Sequence, residues 1–286
     1  PSRRLARWHL VLPLTALLAL LIATPATERV DLWLYDTIIQ QSPLPPPDNL
    51  TLVAIDEKSL ERLGRWPWPR QYHATLINRL DQAGAGTIAF DILFTEPSER
   101  GAQDRQLAEA MERHGNVVLP LHIYPTDDEQ PLREFLPIAP LTKAASALGH
   151  VHVELDDDGI ARGFYRREGL GEAVWPSLAD AVIQQSGMAT QQETAASTPA
   201  NAPFVNVRRN RVRIPFSGRA GRMPSVSYID VLEGRVPPER LRDRVVFVGI
   251  TAAGFGDLLP TPVSGRTAPL SGVEFHANAF SAIAQD

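Results

Sequence analysis

Between Arg7 and Glu28 no residue carries a charge, and the 8–23 stretch reads WHLVLPLTALLALLIA. About 20 residues rising about 1.5 Å each are enough to cross the roughly 30 Å hydrocarbon layer of a bilayer. Arg3, Arg4 and Arg7 precede the run, and a cationic flank stays on the cytoplasmic side. A secretory signal peptide shares the basic start and the apolar centre, but Ala23-Thr24-Pro25-Ala26 is a poor cleavage site and the run is long for such a peptide. The expectation is a cytoplasmic stub over 1–7, one transmembrane helix over 8–27, and a folded part outside the membrane.

The rest of the chain has ordinary globular composition, 44% hydrophobic and 21% charged over 286 residues, enough to bury a real core. The net charge of −5 and the lack of a long basic run exclude a phosphate-tracking surface, so no nucleic-acid partner is expected. Cysteine is absent. That removes thiolate catalysis, Cys-ligated zinc and iron–sulfur clusters, and nothing else in the chain calls for a cofactor.

A juxtamembrane helix and the proline-rich SPLPPPD segment (28–48) lead into the folded region, 49–286. There an alternation begins. LTLVAI (50–55), TIAFDILF (87–94) and VVLPLHI (117–123) are short apolar runs, as strands buried on both faces require. Between them, 71–83 and 104–114 carry apolar residues at helical spacing and stop at Gly84 and Gly115. Strand, helix, strand, helix, strand predicts an α/β fold with a mainly parallel sheet flanked by helices. Added antiparallel hairpins are expected around Asp158-Gly159 and over 204–214. Residues 188–203 are polar and low in complexity, and read as a mobile loop. VVFVGI (245–250) is a further buried strand, and 273–283 is a final helix with Val273, His276, Phe280 and Ile283 on one face.

Several stretches in this order resemble the CHASE-two family, extracytoplasmic sensory domains of bacterial cyclases and histidine kinases. They include VAIDEKSLERLGRWPWPR (53–70), AGAGTIAFDILFTEP (83–97) and the Asp104-x-x-Leu107-Ala108 helix. WPSLADA (175–181), VVFVGITAAGFGDLLPTP (245–262) and LSGVEFHANAFSAI (270–283) follow. The resemblance implies a non-catalytic input domain that controls a cytoplasmic output such as an adenylate or guanylate cyclase, a histidine kinase or a diguanylate cyclase. It also implies a homodimer, because such outputs work in pairs, and a small-molecule or ionic stimulus. No second apolar span and no output domain lie within these residues, so the chain reads as part of a longer receptor.

For chemistry, Asp56 and Asp91 fall at strand ends, where open α/β sheets bind ligands, and Asp257 follows the last buried strand. Trp66 and Trp68 sit on a stiff proline-flanked segment beside Arg70. Together Asp56, Trp66, Trp68, Arg70, Asp91 and Asp257 form the expected ligand crevice. The plainer reading has Asp56 capping the helix after it, the tryptophans pinning a loop to the core, and Arg70 paired with Asp56 or Asp91. His150 and His152, two apart in an expected strand, are weak candidates for a metal; no third ligand stands at motif spacing. His276 reads as a packed histidine. A periplasmic membrane-anchored hydrolase using an acid pair is the alternative, with no G-x-S-x-G, H-E-x-x-H or kinase signature to support it.

Overall fold

Parallel strands covered on both faces must be apolar at every position rather than at alternate ones, and Leu50–Ile55 is buried throughout. The computed structural model describes residue 15 and residues 25–125, 132–188, 205–254, 258–264 and 268–285. It divides into two units, Pro1–Pro43 and Leu44–Asp286.

In the first unit, α1 (Pro25–Gln41) is the described element. Val30, Trp33, Leu34 and Ile38 run along it, each between 49% and 65% exposed. Among the described residues no helix is long and apolar enough to cross a membrane; most of the expected 8–27 span lies outside the described residues.

The second unit opens with β1 (Leu50–Ile55), α2 (Glu57–Leu63), α3 (Arg70–Gln82), β2 (Thr87–Asp91) and α4 (Gly101–His114). Next come β3 (Val117–Pro125), β4 (Leu132–Phe135), α5 (Ala139–Ala144) and β5 (Ala147–His150). Then follow β6 (Gly163–Leu170), β7 (Trp175–Pro176), α6 (Leu178–Gln185), β8 (Asn206–Arg213), β9 (Ser225–Ser227) and α7 (Tyr228–Leu232). The chain continues through β10 (Val245–Ile250), β11 (Leu258–Leu259), β12 (Leu270–Ser271) and α8 (Gly272–Ala284).

The main sheet has seven strands. Six of them run parallel in the order β5-β3-β2-β10-β1-β9, and β4 pairs antiparallel with the end of β3. The expected α/β architecture with a mainly parallel sheet is therefore present. Alternate strand residues such as Val53, Ile88 and Val246 face a core that includes residues of α3, α4, α5 and α7. On the other face Phe247 of β10 meets Phe280 of α8, ring centroids 5.8 Å apart. Gly249 makes that approach possible: a Cβ there would lie 2.5 Å from Cβ of Val273.

Several expectations need correction. β2 stops at Asp91 rather than at 94, where its pairing with β10 ends opposite Gly249; Phe94 packs into the core beyond the strand. The Asp158-Gly159 turn forms, with Gly159 at φ 78 and its N–H donating to the Asp156 carbonyl. No hairpin flanks it. Arg162, 2% exposed, binds Asp156 and Asp158 and clamps the turn from inside. β6 pairs instead antiparallel with β7 and with β8, so the expected antiparallel addition to the fold is present with other partners. The second expected hairpin, over 204–214, is one strand, β8, lying antiparallel along β6. Asn210 takes φ 58 within it without reversing the chain. The loop expected over 188–203 lies, beyond Met188, outside the described residues.

Candidate functional site

A cleft of about 600 Å³ opens towards the carboxyl ends of the three adjacent strands β10, β2 and β3. Strand ends of an open parallel sheet are where the chain leaves gaps between crossovers, so ligand clefts collect there.

Three of the expected site residues line it: Trp66, Arg70 and Asp91. Asp91 is the last residue of β2. Gly272, the first residue of α8, approaches so closely that a Cβ there would lie 3.1 Å from Asp91 Oδ2. One turn further along α8, His276 places Nε2 at 3.9 Å from Asp91 Oδ1. Burial pushes the His276 ring down to about pKa 4, so it is neutral at ordinary pH.

Two expected residues face elsewhere. Asp56 turns its carboxylate onto its own helix, accepting from the Ser59 backbone N–H at 2.9 Å and from the hydroxyls of Ser59 and Ser227 at 2.5 and 2.9 Å. It is the N-cap of α2, and the acid pair Asp56/Asp91 is not assembled in the cleft. Ser227 precedes α7 without capping it by its side chain. Trp68 is 3% exposed, its indole N–H donating to the Gly64 carbonyl at 2.9 Å and its ring 5.1 Å from that of Tyr228. That loop-pinning role applies to Trp68, while Trp66, edge-on to it at 5.2 Å, walls the cleft. Asp257 lies outside the described residues.

Arg70 pairs with neither Asp56 nor Asp91. Its Nε stands 3.5 Å from Asp104 Oδ1, it donates to the Glu96 carbonyl at 3.1 Å, and its guanidinium sits 4.5 Å from the Phe94 ring centroid. Asp104 was legible as a buried partner. It shares the apolar face of α4 with Leu107 and Met111 at i, i+3 and i+7, and an acid on such a face needs a buried cation.

Sequence reasoning missed the apolar rim. Leu93, Leu155 and Leu258 border the cleft while 41%, 47% and 47% exposed. Val151, Val153 and His122 complete that side. The signal was the unpaired apolar alternation of 151–155, which read as a hairpin arm.

His150 and His152 do not share a strand, since β5 ends at His150, yet both converge on Glu168 of β6. His150 Nδ1 is 3.4 Å and His152 Nδ1 3.7 Å from its carboxylate. That carboxylate, fully buried, accepts from Asn206 at 2.5 Å and Arg208 at 3.2 Å. Burial, and after it the neighbouring His152, pushes His150 down to about 3. Among the described residues no three His, Asp or Glu side chains stand in metal-binding geometry.

The sequence matches the CHASE2 domain family over residues 14–286. No curated protein and no solved structure matches the chain. The match covers the parallel sheet, the cleft and α8 alike, and the chain belongs to the CHASE2 family of non-catalytic extracytoplasmic sensory domains.

Proposed function

We propose that the chain is the signal-input part of a bacterial transmembrane receptor, with the cleft as its ligand site and α8 as the element that reports occupancy. The 8–27 stretch anchors it in the inner membrane with residues 1–7 in the cytoplasm. The output is a cytoplasmic cyclase, histidine kinase or diguanylate cyclase. The receptor acts as a homodimer, a reading supported by the exposed apolar stripe of α1.

The observation that carries this reading is the run of α8. Its first turn, at Gly272 and His276, borders the cleft. Its far end, at Gln285, donates from Nε2 to the carbonyl of Pro45, where the chain enters the sensory unit, at 3.1 Å. A ligand that moves the first turn therefore acts on both chain ends of this unit at once, biasing two packings of one helix. In the native receptor, a flexible Gly-Ser segment inserted after Asp286 is expected to abolish stimulus control of output while the melting temperature stays unchanged. Control that survives the insertion removes α8 from the signalling path. Protease added to spheroplasts is expected to digest 49–286 and leave a membrane-bound stub; protection of that region overturns the topology.

A further inference from the structure

The cleft wall over 151–155 has two faces. Val151, Val153 and Leu155 line the cleft. The residues between them turn the other way, onto β6 and β8. His152 Nδ1 lies 3.7 Å from Glu168, and Glu154 Oε2 lies 3.2 Å from Arg208. This alternation is that of an extended chain, yet the five residues belong to no strand. The Val151 N–H donates to the Leu121 carbonyl at 3.1 Å, and the side chains on the back do much to hold the rest in place.

One back-face contact depends on a protonation state. Arg208 Nη2 and His152 Nε2 stand 3.2 Å apart. A guanidinium has no acceptor to offer and can only donate. His152 Nε2 must therefore accept, which makes the ring neutral with its proton on Nδ1, the nitrogen nearer Glu168. A second proton, on Nε2, would set N–H against N–H and cation against cation. Around the ring stand Glu168 of β6, Arg208 of β8 and Glu154 of its own segment. The rings of His150, at the end of β5, and of His122 in β3 complete the surroundings, the latter with centroids 6.0 Å apart. Burial is the largest influence on His152 and lowers its pKa; Glu168, Glu154 and the Ile123 carbonyl oppose it, and Arg208 adds to it. The His152 side chain is 20% exposed, so a proton reaches it without unfolding of the core.

We propose that Arg208 and His152 form an acid-sensitive latch on the cleft wall, closed while His152 is neutral and released when it takes up a proton. That the wall belongs to a ligand site rests on the reading above; the latch is tested without a ligand, so either can fail alone. In the released wall His152 titrates near the ordinary value of about 6.5, and in the latched wall lower. The latch is therefore at full strength above about pH 6.5, and opening rises by up to about tenfold per pH unit below it. The test is hydrogen exchange, read by mass spectrometry on the full chain in nanodiscs and corrected for the intrinsic effect of pH. It runs from about pH 7.5 to about 5.5, above the range where carboxylates titrate. Protection of 151–155 is expected to fall by up to about tenfold across that window, while β1 keeps its own. His152→Gln, whose amide oxygen accepts from Arg208 without titrating, is expected to hold the wall's protection constant. Arg208→Gln, which donates without a charge, is expected to cut the loss by at least half; it decides the matter should His152→Gln not fold. A wild-type wall that acid leaves unchanged, or that loosens only in step with β1, overturns the latch. So does a response that persists in full in either variant.

Discussion

Gln285 and Pro45, 240 residues apart in sequence, are joined by a hydrogen bond of 3.1 Å from the Gln285 side chain to the Pro45 carbonyl. The two ends of the sensory unit thus meet at one place, and the helix that ends there begins at the cleft. A single exposed hydrogen bond contributes about 1 kcal/mol at most, so Gln285→Ala is expected to leave global stability nearly unchanged. It should instead speed amide exchange at Ile283 and Ala284, the last turn of α8. Exchange there as slow as in the wild type means that the bond does not restrain the helix.

Asp56 and Asp91 look alike in sequence and differ in role. Asp56→Ala is expected to cost about 1–2 kcal/mol, as lost N-caps do, and to leave ligand affinity intact, because its carboxylate faces Ser59 and Ser227. Asp56→Asn should recover most of the stability. Loss of ligand response in a folded Asp56→Ala protein would return this residue to the site.

Arg70 and Asp104 are 14% and 5% exposed, so removing one partner leaves a largely buried charge. Arg70→Gln and Asp104→Asn are each expected to destabilise by about 3–5 kcal/mol, with the double variant well short of the sum. Urea unfolding of the four proteins measures this. Additive losses would show that the two groups do not interact.

Gly249→Ala places a methyl 2.5 Å from Val273 Cβ and 3.2 Å from Asp91 Cβ. The first turn of α8 must then move off β10, at a cost of about 1–3 kcal/mol. Because Gly272 and His276 ride on that turn, ligand affinity should fall as well. A variant with wild-type stability and affinity would mean that α8 yields freely at this contact.

Acid should destabilise the domain through its buried histidines. His73 and His150 are pushed down to about 3 and His276 to about 4, burial being the main cause in each. The unfolded chain takes up protons near pH 6.5 that the folded state refuses. Stability is therefore full above about pH 6.5 and falls as the pH drops towards 4 and then 3, by up to about 1.4 kcal/mol per pH unit for each ring. Urea midpoints across that window should decline, and less steeply in His276→Asn. A midpoint that rises on acidification contradicts the neutral, buried state of these rings.

The strands β1, β2 and β10 and the helices α3, α4 and α8 were legible in the sequence because their signals are local. A strand covered on both faces must be apolar at every residue, and a covered helix must repeat at 3.6, whatever surrounds them. The α/β class followed from their order, and the family from the resemblance of stretches such as 53–70, 245–262 and 270–283. What the tertiary structure alone decided was pairing and direction. β6 takes β8 as its partner, some forty residues on, in place of the adjacent 151–155 arm, since strand partners are chosen by packing between distant segments. That leaves 151–155 to wall the cleft. The two carboxylates take different surroundings from distant segments: Ser59 and Ser227 turn Asp56 into the fold, while Gly272 and His276 of α8 stand beside Asp91 at the cleft. The rim leucines come from three separate segments, 93, 155 and 258, and nothing in any one of them foretells the other two. Local periodicity determined the elements; long-range packing, which no short window contains, determined the site.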